Sequence, residues 1–257
     1  MSLDKSQAVL GKDHFLQLYQ TELEQEAEWL RRGAAEKANS IEQFLRIHEI
    51  HPLRLVELGC GVGAVITECQ RRNLAATYMG VDYSHEAIDY LRTNSPGIEA
   101  VQGDITDPQF RVDGSSDIVV VSHVLEHLEE PARFLASMQR ALKFSYVVIE
   151  VPLEDLMASR VKATMKDRKG NVAGHVQFFT TATFEALIES SGLRIVDRRT
   201  YVPVLDMDTI RFVSQKDGLA PYRYWLKALT NHYLPQWLMP WWKRLYYAHH
   251  AVLCTVR

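Results

Sequence analysis

Apolar positions along this chain change period at clear boundaries, and those changes mark out its elements. Between residues 13 and 50, Phe15, Leu16, Tyr19, Leu23, Ala27 and Leu30 recur near the 3.6-residue helical period among many Glu and Gln. A second helix, Ala34 to Ile47, carries Ala38, Ile41 and Leu45 on one side. Tyr19 is placed to reach a ligand, whereas Arg31 and Lys37 read as a solvated charged face. From Leu53 the pattern shortens to a brief apolar run, a buried strand, ending in Gly59, Gly61 and Gly63. A helix follows at once, with Val62, Val65, Ile66 and Cys69 on one face. Strands are expected at 76–81, 98–102, 117–122 and 146–151, with helices at 85–92 and 131–143 between them. Ser84 can cap the first of these helices and Pro131 opens the second, at the turn where proline is tolerated. The nearly unbroken Val/Ile run from Asp117 to Ser122 suits a central parallel strand covered on both faces. Repeated strand–helix crossovers predict an α/β architecture with a doubly wound, parallel sheet.

Beyond residue 151 the rhythm changes. Residues 152–175 form a polar connection containing Lys-Asp-Arg-Lys-Gly, long enough to act as a lid or to be disordered. A helix from Thr180 to Ser191 stops at Gly192, a strand runs from Leu193 to Val202, and a last strand is expected at 249–256. Between them lies an insertion rich in Trp, Tyr and Pro. One domain is expected: a helical cap (1–50), a core (51–202), the insertion (203–247) and the last strand (248–257). At 257 residues, 47% hydrophobic and 24% charged, the chain is long enough for a substantial core. Its net charge of −3 gives no global field favouring nucleic acid. Cys60, Cys69 and Cys254 are scattered without metal-ligand spacing, which reads as a reduced, cytoplasmic protein. No apolar run approaches the ~18 residues of a membrane span, and the N-terminus lacks the apolar stretch of a signal peptide.

In an open α/β sheet, ligands bind beyond the carboxyl ends of the strands. Those ends hold Glu57 to Gly63, Asp82-Tyr83, Gly103-Asp104-Ile105 and Ser122-His123. Glycines between a strand and a helix let a ligand approach bare backbone at the positive helix N-terminus. Gly59-x-Gly61-x-x-Ala64 also satisfies the dinucleotide fingerprint, so the turn alone is ambiguous. Asp82 stands where an acid would accept both ribose hydroxyls of an adenosine group, and Tyr83 offers the base a flat face. Asp104 can accept from an exocyclic amine, with Ile105 packing on the ring. Glu57 can take the backbone and ammonium donors of an amino-acid tail.

Val-Glu-Leu-Gly-Cys-Gly-Val-Gly, Val-Asp-Tyr-Ser, Gly-Asp-Ile and Asp-Ile-Val-Val-Val-Ser-His-Val-Leu-Glu-His-Leu, in that order, resemble the motifs of class I S-adenosylmethionine-dependent methyltransferases. Gly-His-Val-Gln-Phe-Phe-Thr at 174–180 resembles a segment of the small-molecule branch of that family. The resemblance covers about Leu53 to Val202. It implies a Rossmann-like, mostly parallel seven-stranded sheet whose last strand is antiparallel, and S-adenosylmethionine as cofactor. It carries the cofactor positions onto Glu57, Gly59, Gly61, Asp82, Asp104, Ile105 and the Ser122-His123 turn. A dehydrogenase fits less well, because its fingerprint has no acid two residues upstream and predicts no His-Val-Leu-Glu-His segment.

His123, Glu126 and His127 share a face if a helix begins there, and His175 can join them. Some methyltransferases bind a divalent metal through Glu-x-x-Glu-His. Here His123 replaces the first acid, so no tightly bound metal is expected. His127 and His175 are candidate bases, since an imidazole is poised to deprotonate a hydroxyl. The expected reaction is methyl transfer to a small-molecule acceptor with an apolar portion, at oxygen. Runner-up readings are metal-assisted 2′-O-methylation of RNA, disfavoured by the charge, and a cofactor-binding partner subunit without catalysis. Tyr222, Tyr224, Trp225, Tyr233, Trp237, Trp241, Trp242, Tyr246 and Tyr247 make the insertion a candidate cap over the acceptor. A homodimer contact and a membrane-surface segment are its competing uses.

Overall fold

In a computed structural model, which describes residues 11–153, 174–203, 206–216 and 248–256 with isolated positions between 222 and 238, the Val/Ile run becomes the middle strand of a seven-stranded sheet. The strands are β1 (Arg54–Leu58), β2 (Thr77–Asp82), β3 (Glu99–Gln102), β4 (Ser115–Ser122), β5 (Lys143–Leu153), β6 (Leu193–Tyr201) and β7 (Ala248–Val256). They lie in the order β3-β2-β1-β4-β5-β7-β6. The first five pair in parallel, whereas β7 runs antiparallel to both neighbours. This is the doubly wound, mostly parallel sheet that the alternation predicts, with the antiparallel last strand that the resemblance implies. Chain order reverses where β1 meets β4, the switch point that opens a crevice at the strand ends.

Both faces of the sheet are covered, which is why β4 needs apolar residues on both sides. On one face Leu55, Ile118, Val120, Val148 and Leu253 pack under α1 (Gly11–Ile47), α2 (Ala64–Arg71) and α3 (His85–Asn94). On the other, Val56, Val119, Val121, Ile149 and Val252 meet residues of α4 (Pro131–Ala141) and α5 (Thr181–Ser190). Ser84 caps α3 by accepting from the Ala87 N–H, and Thr180 caps α5 through a capping box with Thr183.

Three expectations need correction. The N-terminal segment does not divide near Gly33; helical structure runs through it, and the break falls at Glu22, whose φ/ψ of −136°/29° is non-helical. His123, Glu126 and His127 do not share an α-helical face: His123 takes a left-handed φ of 57°, and only a single 3-10 turn follows, Leu125–His127. Lys37 is not on the solvated face of α1, because its ammonium faces Glu150, Glu126, Glu57 and Glu26 in the interior. Arg31 is exposed, as expected, and bonds the Tyr90 hydroxyl.

The insertion contains a helix that periodicity alone left unread, α6 (Met207–Lys216). It buries Ile210 and Val213, places Phe212 under the Arg32 guanidinium and pairs Lys216 with Glu26 of α1. Tyr222, Trp225, Tyr233 and Trp237 are exposed. Trp241, Trp242, Tyr246 and Tyr247 lie outside the described residues, as does most of the polar connection (154–173). No helix among the described residues is long and apolar enough to cross a membrane. All three cysteines are free and buried.

Candidate functional site

The glycine turn takes its shape from two neighbours. Gly59 has φ +70°, and a Cβ there would strike Val124; Gly61 has φ +52°, and a Cβ there would collide with the Tyr19 hydroxyl. Positive φ and close approach together require glycine. Asp82, at the end of β2, fixes the turn from below: one carboxylate oxygen accepts from the Gly61 N–H at 2.8 Å and the other from the Ser84 N–H at 2.9 Å. Each oxygen keeps a lone pair for a further donor.

A cleft of about 670 Å³ opens beyond these strand ends. Of the residues expected from sequence, Gly59, Asp82, Tyr83, Asp104, Ile105, His123 and His127 line it. Glu57, Gly61, Ser122 and His175 do not. The Glu57 carboxylate turns under α2 and accepts from the Ile66 N–H at 3.0 Å. Burial pushes its pKa up to about 8, against the opposing influence of Lys37 and that N–H. Ser122 sits behind the wall with its hydroxyl buried. His175 is buried too, its ring 4.8 Å from that of His127.

Helix α1 supplies a wall that the sequence reading identified only at Tyr19. Lys12 pairs with Asp104 at 2.6 Å and lies 5.4 Å from the centre of the Tyr83 ring, while the Tyr83 hydroxyl donates to the Lys12 carbonyl at 2.8 Å. Phe15 sets its ring edge-on to His127, with centroids 4.6 Å apart. Burial works to raise the Asp104 pKa, but Lys12 and Thr106 outweigh it and hold it below the usual carboxylate value.

Behind the cleft, strand ends bring together a polar cluster inside the α1 face of the sheet. Burial alone would raise the Glu126 pKa; His123, His127 and His175 overcome it and hold it at about 2. Burial takes His127 the other way, to about 4, so its imidazole is neutral at pH 7 beside an ionised carboxylate 3.8 Å away. Further along the sheet Glu150, again held ionised against its burial, meets His123, His249 and the Tyr201 hydroxyl. No sequence motif marks Glu150, His249 or Tyr201, because strand pairing alone brings them together.

The cleft has what an adenosine-bearing cofactor needs: an acid and an aromatic ring at β2, an acid after β3, and a glycine turn open to close approach. A family model described as a methyltransferase domain matches residues 14–198. The malonyl-[acyl-carrier protein] O-methyltransferase of Halalkalibacterium halodurans is 26% identical over 119 residues, covering 44% of this chain and 44% of that protein. The mitochondrial ubiquinone biosynthesis O-methyltransferase of Schizosaccharomyces pombe is 29% identical over 150 residues, covering 54% and 51%. The chain thus spans about half the length of these curated relatives, and 32% of some others. In fold it resembles the magnesium protoporphyrin IX methyltransferase of Synechocystis PCC 6803, solved with bound S-adenosylhomocysteine, with a TM-score of 0.58 at 13% identity over 90% of this chain and 86% of that one. Because the family match takes in most of α1, the glycine turn and every strand end that lines the cleft, this chain belongs to the class I S-adenosylmethionine-dependent methyltransferase family.

Proposed function

We propose that the protein transfers a methyl group from S-adenosylmethionine to an oxygen of a small-molecule acceptor that has an apolar portion. The observation that carries this reading is His127, a neutral imidazole in the cleft wall beside the ionised Glu126. The cofactor supplies an electrophilic methyl on a sulfonium. Asp82 and Asp104 would hold its ribose hydroxyls and adenine amine, and Tyr83 and Ile105 its ring faces. An amine needs little more than alignment, but an alcohol or phenol gains nucleophilicity when a neutral base takes its proton. His127 takes that proton, Glu126 stabilises the imidazolium that forms, and His175 steadies the ring. Phe15, Leu128 and Phe134 keep that side of the cleft apolar and exclude water. Both relatives described above are O-methyltransferases by name, which supports oxygen as the atom methylated.

The test is a panel of alcohols, phenols, carboxylates and amines, with S-adenosylhomocysteine release as readout. A hydroxyl-bearing acceptor should turn over, and His127→Asn should lower kcat by about 10²-fold, the usual worth of a positioned base, with cofactor Kd changed less than about threefold. Turnover of amines alone, or an unaffected His127→Asn enzyme, would overturn the oxygen reading.

A further inference from the structure

The pleat of the sheet aligns three side chains from strands far apart in sequence. Tyr201 is paired with His249 across β6 and β7, and Glu150 is paired with Ala251, two residues on from His249, so all three point to the α1 face. Next to them Ser122 pairs with Glu150, and the following residue, His123, bends back over the row. Its left-handed φ of 57° is costly for a residue with a Cβ. That backbone is held in place by the His123 N–H, which donates to the Glu150 carbonyl at 2.9 Å.

The result is a nearly equilateral triangle of ligand atoms. His123 Nε2 lies 3.3 Å from Glu150 Oε1, His249 Nδ1 lies 3.2 Å from the same oxygen, and the two nitrogens are 3.2 Å apart. Hydrogen bonds satisfy this arrangement only by sharing: Glu150 Oε1 accepts from Tyr201 at 2.8 Å, the Tyr201 hydroxyl is also 3.2 Å from His249 Nδ1, and one of the two facing ring nitrogens must be the unprotonated acceptor of the other. A tetrahedral ion with bonds of about 2.0–2.1 Å places its ligand atoms about 3.3 Å apart, the edge this triangle has, whereas an octahedral ion would need about 3.0 Å. The surroundings also fit an ion. Nδ1, the other nitrogen of His123, lies 3.2 Å from Glu126 Oε1, the carboxylate–histidine pairing that orients a metal-bound imidazole. Glu126 is itself buried, with neither oxygen in a well-aligned hydrogen bond, and the Lys37 amine, whose pKa burial lowers, acts electrostatically on both carboxylates.

We propose that His123 Nε2, Glu150 Oε1 and His249 Nδ1 form a three-ligand site for a divalent transition ion of the zinc type. Two imidazoles and a carboxylate form the ligand set of zinc sites that keep a fourth position open. His123 is also a wall of the cleft, so the ion would stand at its inner boundary. The expectation of no tightly bound metal rested on the spacing of residues 123–127; His249 lies 126 residues from His123 and carries no local signal. The second cluster, Glu126 with His127 and His175, is looser, with His127 Nε2 3.8 Å from the Glu126 oxygen, and we do not assign the ion to it.

The full-length protein, stripped with a chelator and dialysed, is titrated with Zn²⁺ against a chromophoric chelator and separately with Co²⁺. One ion should bind with submicromolar Kd, and the Co²⁺ form should show the intense visible bands of a tetrahedral site. Glu150→Gln and His249→Asn should each weaken binding by at least about 100-fold, while His127→Asn leaves it within about threefold. The Co²⁺ spectrum of the unaltered protein decides the geometry even if a variant fails to fold. Absence of binding at micromolar Zn²⁺, weak octahedral Co²⁺ bands, or loss of the ion in His127→Asn but not in His249→Asn would overturn the assignment. None of these readouts requires methyl transfer, so their failure is distinct from failure of the proposed function.

Discussion

Glu57 stands two residues before the glycine turn, on a strand covered on both faces, and that position sets its protonation. With a pKa raised to about 8 by burial, it is a neutral acid in the folded protein at pH 7, hydrogen-bonded to the first turn of α2. An unfolded chain returns it to about 4.3. A carboxyl whose folded pKa is raised contributes most below its unfolded pKa; that contribution is lost as pH rises from about 4.3 to about 8, because the unfolded state releases the proton more readily. Glu57→Gln keeps the shape and removes the titration. The variant should match the natural protein in thermal melts at pH 4.5 and exceed its Tm by about 10 °C or more at pH 8.5, since a shift from about 4.3 to about 8 is worth about 5 kcal/mol and 1 kcal/mol moves Tm by about 2–4 °C in a chain of this size. An equal Tm difference at both pH values would mean that Glu57 does not titrate in this window. Asp82 differs from Glu57 because it faces the cleft while its oxygens fix the backbone on either side of it. One residue thereby couples the shape of the turn to the ligand.

At the scale of elements, the cleft is a sheet edge closed by one long helix, and α1 makes the closing contact through Tyr19. Its hydroxyl sits against the bare Cα of Gly61. Gly61→Ala should cost about 1–3 kcal/mol of stability, combining left-handed strain with that collision, and should weaken cofactor binding by displacing α1. Tyr19→Phe removes the colliding oxygen and should restore part of both losses, read by thermal melts and calorimetry on the double variant. Additive losses would mean that the helix does not bear on the turn. The same contrast explains what could be read from sequence. The seven strands and helices α2 to α5 were visible because each carries an apolar run or period bounded by turn residues, a proline or a cap. The glycine turn and the strand-end acids could be read because their roles depend on a few adjacent residues. Lys12 and Phe15 gave no signal, since their roles arise only where α1 folds back over strand ends some seventy or more residues later. Glu150, His249 and Tyr201 were hidden for the same reason: each looks like an ordinary strand residue until antiparallel pairing inserts β7 beside β5. The break at Glu22 also escaped notice, because helical periodicity continues on both sides of it.

At the scale of the whole molecule, α1 carries both a wall of the cleft and the seat of α6, on opposite sides of the break at Glu22. Helix α6 packs on that helix by the Arg32–Phe212 contact at 4.9 Å and the Glu26–Lys216 pair at 2.7 Å. The stretch of α1 that precedes Glu22 is the one that walls the cleft. Trp225 and Trp237 are 62% and 75% exposed, with much of their apolar area in water. Exposed aromatic rings are a common means of gripping an apolar ligand. Replacing both by alanine should leave Tm and cofactor Kd almost unchanged, since neither ring is buried in the protein alone. If these rings hold the apolar portion of the acceptor, the double variant should raise acceptor KM by about tenfold, equivalent to about 1.4 kcal/mol of lost contact. An unchanged KM would remove the insertion from acceptor binding. A shift in sedimentation from dimer to monomer, or loss of binding to liposomes, would assign the rings to a second copy of the chain or to a lipid surface instead.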